Sequence, residues 1–273
     1  MKTKDFVRLS DEEYKEQTRV HWGNVPCGSN YSDEMFMTKD FFEEIESHRY
    51  KSHPWILEAI RGFDIRGRKV LEIGYGMGTD HLQMARRGGS MYGLDLTPMS
   101  YEVTKKRFEI YGFHSELTVG DAENLPYPDD YFDFVYSFGV IHHTPNTQKV
   151  IDEIHRVLKP EGKVWIAVYH RNSIFFWWTV YLYDWVLRRG YKKETLKARI
   201  SRIEYPNDNP NLVIKLYKKK EFEGMFSLFD ITKSHIDHLI KEDVALFGKL
   251  IPSIFLKILR KTFGWYIIVE GFK

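Results

Sequence analysis

The chain has 273 residues, of which 43% are hydrophobic and 29% charged, with a formal net charge of +2. That suits one α/β domain with insertions, or a large and a small domain. A single cysteine, Cys27, excludes a disulfide framework and cysteine-rich zinc sites and fits a reducing cytoplasm. The charged opening MKTKDFVRLSDEEYKEQ has no apolar h-region, and no run of about 18 apolar residues predicts a transmembrane helix. Charge is uneven. Residues 1–170 hold 21 Lys/Arg against 27 Asp/Glu, while residues 171–273 hold 19 against 11. The basic second part is either an ordinary solvated face or a surface for anionic lipid, nucleic acid or an acidic substrate.

Helices are expected first near Asp11–Arg19, Ser32–Tyr50 and His53–Arg61, within an N-terminal segment 1–65. Between the first two lies RVHWGNVPCGSNYSDEMF, an aperiodic, aromatic stretch suited to a lid, with His21, Trp22, Cys27 and Tyr31 as candidate pocket residues. Residues 66–170 alternate short apolar runs with helical patterns, which predicts βαβ units and a parallel sheet. Strands are expected at Lys69–Ile73, Ser90–Asp95, Ser115–Val119 and Phe132–Ser137, with KPEG turning into a fifth at Lys163–Val168. Helices fall near Asp80–Arg87, from Pro98 to Tyr111 behind a Thr97 cap, and near Thr147–Leu158. The rhythm then breaks across an insertion, 171–215, containing IFFWWTVYLYDWVL and the polar EYPNDNPN. A helix near Lys219–Leu228 and strands near Asp230–His238 and Gly264–Phe272 close the chain in a segment 216–273.

The stretch VLEIGYGMGTD (70–80) places Gly74, Gly76 and Gly78 between a strand and a helix. Such a turn lets backbone approach a ligand, and the helix N-terminus behind it offers free N–H groups. A dinucleotide loop would carry Gly or Ala where Thr79 stands, and a P-loop would need a Gly-Lys-Ser/Thr ending that is absent. Asp95 ends the second strand and Asp121 follows the third. Each is a common turn former alone. Together with the glycines they mark three successive strand ends, where open α/β sheets bind ligands; a carboxylate at the second can accept from both ribose hydroxyls.

VLEIGYGMGTD, YGLDLTP, GDAENLPYPDDYFDFVYSFGVIHHTPN and EIHRVLKPEGKVWIAVY resemble, in order and spacing, the motifs of class I S-adenosylmethionine-dependent methyltransferases. The nearest branch is that of the ubiquinone/menaquinone-biosynthesis methyltransferases, and the resemblance covers residues 55–170. It implies a Rossmann-like α/β fold: a seven-stranded, mostly parallel sheet with helices on both faces. S-adenosylmethionine is the implied cofactor. Glu72 would reach its methionine amino group, Gly74, Gly76 and Gly78 would floor the site, and Asp95 would hold the ribose. Leu96 would pack on adenine, Asp121 would bind the adenine amine beside Ala122, and Ser137 and Phe138 would flank the methionine. Tyr75 belongs to the same loop and, with Met77, departs from the small or polar residues usual there, so the cofactor tail would be covered differently.

Methyl transfer from a sulfonium needs alignment and exclusion of water, and a base only where the nucleophile arrives protonated. His142 and His143 are the candidate bases, with a loop-capping role as the alternative. Two adjacent histidines without a carboxylate cluster make a poor metal site, so no metal is expected. Nucleic-acid amine methyltransferases carry Asp/Asn-Pro-Pro-Tyr/Phe where SFGVIHH stands, which disfavours nucleic acid as partner. Trp177 and Trp178 in the insertion are further pocket candidates, with core packing or a peripheral membrane contact as other uses of that apolar helix. The expected acceptor is small or lipid-like. RNA or protein methylation and a non-catalytic S-adenosylmethionine-binding module are the alternatives. Oligomeric state carries no sequence signal.

Overall fold

The computed structural model describes residues 9–24, 26–204, 212 and 214–273. Helices α1 (Asp11–Asn24), α2 (Lys39–Ser52) and α3 (Pro54–Gly62) precede β1 (Lys69–Ile73), α4 (Thr79–Arg86), β2 (Ser90–Asp95), α5 (Pro98–Tyr111) and β3 (Ser115–Val119). Then come β4 (Phe132–Phe138), α6 (Thr147–Val157), β5 (Leu158–Tyr169) and a π-type helix at Phe175–Leu187. Helices α7 (Leu196–Ser201) and α8 (Lys219–Gly224), strand β6 (Asp230–Asp237), helix α9 (Ser253–Phe263) and strand β7 (Tyr266–Phe272) complete the order. Most of EYPNDNPN, residues 205–211, lies outside the described residues.

One seven-stranded sheet runs β3-β2-β1-β4-β5-β7-β6, parallel from β3 to β5, with β7 antiparallel to both its neighbours. This is the expected Rossmann-like, mostly parallel sheet. Its central strands are apolar on both faces because both are covered. Leu71, Ile73, Val135 and Ile166 pack with Val150, Ile151 and Ile154 of α6 on one side. Val70, Tyr136 and Trp165 pack with Ile56, Ile60 and Leu82 on the other. Strand order reverses between β1 and β4, which opens a crevice at their carboxyl ends.

Local chemistry fixes the elements bordering that crevice. The Thr97 side chain accepts from Ser100 N–H, Pro98 opens α5, and Gly112 at φ +69° ends it. Arg107, fully buried on α5, donates to Met77 O (3.1 Å), Thr79 Oγ1 (2.7 Å) and Phe42 O (3.1 Å) and pairs with Glu46 (3.2 Å). One side chain thus ties α2 and α5 to the glycine loop.

Three expectations need correction. KPEG is not a turn before β5 but part of that strand, accommodated by a register step between Phe132↔Leu158 and Phe134↔Lys163 with Glu161 at φ +63°. The second helix starts at Lys39, capped by Thr38, rather than at Ser32. The helix after the insertion stops at Gly224.

Gly74 has φ +78°, and a Cβ there would stand 2.2 Å from Val140 Cγ2. Gly74→Ala should therefore cost about 2 kcal/mol or more, from left-handed strain plus overpacking. In urea unfolding the midpoint should drop at constant m-value; an unchanged midpoint would contradict the loop geometry.

Candidate active site

A cavity of about 570 Å³ opens over the carboxyl ends of β1, β2 and β4 and is roofed by α1, α2 and the segment between them. Its floor is the glycine loop. Gly74 N–H donates to Leu94 O at 2.7 Å and Gly76 N–H to Asp95 Oδ2 at 2.9 Å, which draws the loop onto the end of β2. A Cβ added at Gly76 would meet nothing within 4 Å, so the loop leaves room for ligand atoms against bare backbone. Gly78 is different. It lies off the cavity wall as the left-handed cap of α4, packed on Thr104.

Asp95 is buried, and its Oδ1 accepts from Thr97 N (3.0 Å) and Thr97 Oγ1 (3.1 Å). Burial raises the carboxyl above its ordinary value against these hydrogen bonds and the one from Gly76. The group is fixed in place, with the cavity before it. Leu96, Asp121 and Ala122 line the same end. Lys15 of α1 crosses it, 2.7 Å from Asp121 Oδ2 and 3.0 Å from Glu123 Oε2. Burial of the ammonium is outweighed by the two carboxylates, which raise the Lys15 value. Lys15 is therefore a latch holding the helical roof over the Asp121 edge.

At the other end of the loop, Glu72 meets His81 Nδ1 at 2.8 Å, and His81 Nε2 meets Ser115 Oγ at 2.7 Å. Burial, then the nearby Asp80 carboxylate, raises Glu72 well above the usual carboxylate range. Burial opposes the charge on Asp80 too. There the Arg49 guanidinium, which donates Nε–H at 2.8 Å, with Tyr136 OH (2.8 Å) and Tyr50 OH (2.9 Å), holds the value below normal. Arg49, Glu72 and Asp80 all reach the cavity, so this end pairs a guanidinium with two carboxyl groups.

The remaining wall is more apolar: Trp22, Phe138, Val140, Tyr169, Ile240 and Tyr266, with His143 and Glu204 among them. His143 Nε2 and Glu204 Oε2 are 2.8 Å apart, and Tyr169 OH also donates to Glu204. Glu204 comes from the insertion, so that segment does contribute to the cavity. His142 is sealed beneath, with both ring nitrogens lacking a hydrogen-bond partner. Among the described residues, His142, His143 and Glu204 form a group able to hold a metal ion, with ligand atoms within 4.8 Å of one another. The carboxylate that spacing alone did not place beside the two histidines is thus supplied by the fold.

The other expected residues divide. Tyr75 and Tyr31 line the cavity, with Tyr31 stacked on His48 at 3.7 Å. Ser137 is off the wall, donating to Ile73 O at 3.0 Å inside the sheet. His21 is outside too, edge-on to Trp22 at 4.6 Å. Trp177 and Trp178 do not reach the cavity; Trp177 is 51% exposed and Trp178 Nε1–H donates to Ala245 O at 2.7 Å. The π-type helix seats Phe176 and Val180 in the core with Phe175 packed against it, while its tryptophans stay outside the main cavity. Arg49, Asp80, Lys15 and Glu204 carry no signal in the sequence, because nothing in their local pattern links them to residues far along the chain.

Comparison with known proteins agrees with this geometry. Residues 71–166 match the family described as a methyltransferase domain. The phthiotriol/phenolphthiotriol dimycocerosates methyltransferase of Mycobacterium leprae is 36% identical over 101 residues, 36% of this chain and 37% of that protein. The fatty-acid O-methyltransferase of Mycolicibacterium smegmatis is 32% identical over 134 residues, 48% of each chain. The chain thus spans less than half the length of these curated relatives. Among solved structures, the PH0226 protein of Pyrococcus horikoshii superposes with a TM-score of 0.55 at 16% identity, covering 93% of this chain and 98% of that one. Residues 71–166 are thus similar to a methyltransferase domain and the whole chain shares the fold of solved structures; S-adenosylmethionine is the cofactor that such a domain implies, and the bare Gly76 backbone and the buried Asp95 suit it.

Three buried imidazoles make stability sensitive to acid. Burial lowers His81 to about 3, His53 to about 2 and His238 to about 4. Each contributes stability that is full above the unfolded value near 6.5 and is lost as pH falls toward the folded value, because only the unfolded chain takes up the proton. Asp243, pushed up to about 7 by burial, acts oppositely: its contribution fades as pH rises through that range. Between pH 6 and 4, His81→Gln should remove about one proton from the pH dependence of unfolding, about 1.4 kcal/mol per pH unit. Urea titrations at several pH values read this slope, and a slope equal to wild type would contradict a neutral, buried His81. Lys15→Ala should loosen the roof and speed S-adenosylhomocysteine dissociation severalfold in stopped flow; slower or unchanged release would contradict the latch.

Proposed function

We propose that this protein transfers the methyl group of S-adenosylmethionine to a small or lipid-like acceptor. The observation that carries this is the union of two unlike halves in one cavity. One is polar and built on fixed carboxylates at strand ends; the other is largely aromatic and aliphatic. Support comes from the relatives, whose names specify dimycocerosates and a fatty acid as their substrates. A quinone-type acceptor, as in the ubiquinone/menaquinone branch that the motifs resemble, belongs to the same class.

In this proposal Asp95 accepts from the ribose hydroxyls, Leu96 and Ala122 pack on the adenine, and Asp121 accepts from its amine beside Lys15. Glu72 and Arg49 take the charged ends of the amino acid over the Tyr75–Gly76 turn. The bound cofactor supplies an electrophilic methyl on a sulfonium, which needs no further activation. The protein's task is alignment and exclusion of water. Phe138, Val140, Trp22 and Tyr266 exclude it on the acceptor side. His143, paired through Nε2 with Glu204 on the cavity wall, takes the proton of a hydroxyl acceptor. Glu204 stabilises the resulting imidazolium, while Tyr169 OH steadies Glu204. The segments divide the work: 1–65 as lid, 66–170 and 216–273 as core, and 171–215 as the donor of Glu204.

Methyl-labelled cofactor offered with long-chain fatty acids, sterols and isoprenoid phenols should label at least one of these classes. His143→Gln should lower kcat on a hydroxyl acceptor by about 10²-fold, with S-adenosylhomocysteine affinity unchanged. Label entering RNA, with binding that falls steeply with salt, would overturn the acceptor class. Cofactor binding without transfer to any class would leave a binding module.

A further inference from the structure

The segment from Val244 to Phe263 presents apolar side chains to solvent on a scale that a monomeric surface seldom shows. Leu250 is 77% exposed, Ile258 64%, Leu246 63%, Ile254 61% and Phe255 56%. By helical period, Ile254, Phe255 and Ile258 share one face of α9. The opposite face, through Leu256 and Leu259, packs on Leu239 and Val244. The outer face has no cover. Residues 244–269 include Lys249, Lys257, Arg260 and Lys261 and not a single carboxylate. Lys257 and Lys261 are exposed along one flank of the apolar stripe, while Arg260 turns back toward Asp237 at 3.5 Å.

The same segment borders the cavity. Ile240 and Glu242, a few residues upstream, stand on its acceptor wall. Trp178 and Thr179 of the π-type helix donate to Ala245 O and Asp243 O at 2.7 and 2.6 Å, holding the segment against that helix. A groove of about 340 Å³ between Trp177, Leu182 and Phe263 adjoins α9. Among the described residues no helix is long and apolar enough to cross a membrane.

We propose that α9 and the loop before it form a docking face for an anionic bilayer surface, with the apolar stripe in the headgroup boundary and the lysines on lipid phosphates. This rests on the lipid-like acceptor proposed above, and places the Ile240–Glu242 wall of the cavity next to the bilayer that holds such an acceptor. Charge selects this occupant. A second copy pairing face to face would set lysines against lysines, whereas anionic headgroups complement an apolar stripe flanked by Lys249, Lys257 and Lys261 in a stretch, 244–269, without a carboxylate. An exposed aliphatic stripe has no counterpart in a nucleic-acid backbone.

The test is flotation of the full chain with vesicles of phosphatidylcholine alone and of phosphatidylcholine with about a third phosphatidylglycerol. Wild type should float with the anionic vesicles and far less with the neutral ones. The variant Ile254→Asp/Phe255→Asp/Ile258→Asp should lose at least about tenfold of the bound fraction. Lys249→Glu/Lys257→Glu/Lys261→Glu should lose the preference for anionic lipid. Both should bind S-adenosylhomocysteine as wild type does, which shows that they fold. Failure of wild type to float, or a dimer in light scattering that the first variant abolishes, would overturn the docking face. That result would leave methyl transfer to a soluble lipid-like acceptor intact, whereas flotation without transfer to any acceptor class would sink only the functional proposal.

Discussion

The Asp95 carboxylate at the end of β2 accepts from the Gly76 amide at 2.9 Å, and from the Thr97 amide and hydroxyl at 3.0 and 3.1 Å. A buried carboxylate is tolerated only while such donors surround it. The loop between β1 and α4 must therefore lie against β2, and Gly74 must take a left-handed conformation to allow it. This constraint produces the bare backbone over which a ligand can settle and sets the direction in which α4 leaves. Arg107 and Thr104 reinforce the arrangement from α5, through Met77 O and Gly76 O.

Around that knot the molecule separates charge from apolar surface within one cavity. The polar half keeps its groups ordered by pairing each: Asp80 with Arg49 and two tyrosines, Glu72 with His81, and Asp121 with Lys15. Most of these partners come from the helices before the sheet, so the roof is part of the electrostatic design and not merely a cover. The more apolar half is assembled from the other direction. Glu204 arrives from the insertion after β5, and Ile240 and Glu242 from the stretch after β6. The segments after β5 and β6 therefore reach the cavity from a side away from the strand ends that carry Asp95 and Asp121, so the two halves of the cavity are built by separate parts of the chain.

How much of this is legible in the sequence depends on how local each signal is. Strands Lys69–Ile73, Ser90–Asp95 and Ser115–Val119 and helix Pro98–Tyr111 are expected at their observed bounds, since apolar runs, a Thr-Pro start and a terminal glycine all lie within or beside the element. KPEG misleads because proline and glycine mark a turn unless strand pairing absorbs the extra residues, as it does opposite Phe132 and Phe134. The glycine loop, Asp95 and Asp121 are legible because each sits just after a recognisable strand. Arg49, Lys15 and Glu204 are not, since their partners Asp80, Asp121 and His143 are brought near only by tertiary packing. Trp177 and Trp178 show the limit of composition. An aromatic helix suggests burial throughout, but this one seats only Phe176 and Val180 in the core, leaves Trp177 in solvent and gives Trp178 to the segment before α9.

The claim on which the rest depends is that the fixed carboxylate of Asp95 grips a ribose. Calorimetry of S-adenosylhomocysteine with wild type and Asp95→Ala tests it most directly. Loss of hydrogen bonds to a charged acceptor, at about 1.5–3 kcal/mol, predicts saturable binding weakened tenfold or more in the variant while NAD shows no comparable affinity. Equal affinity in the two proteins, or NAD bound as tightly, would contradict it.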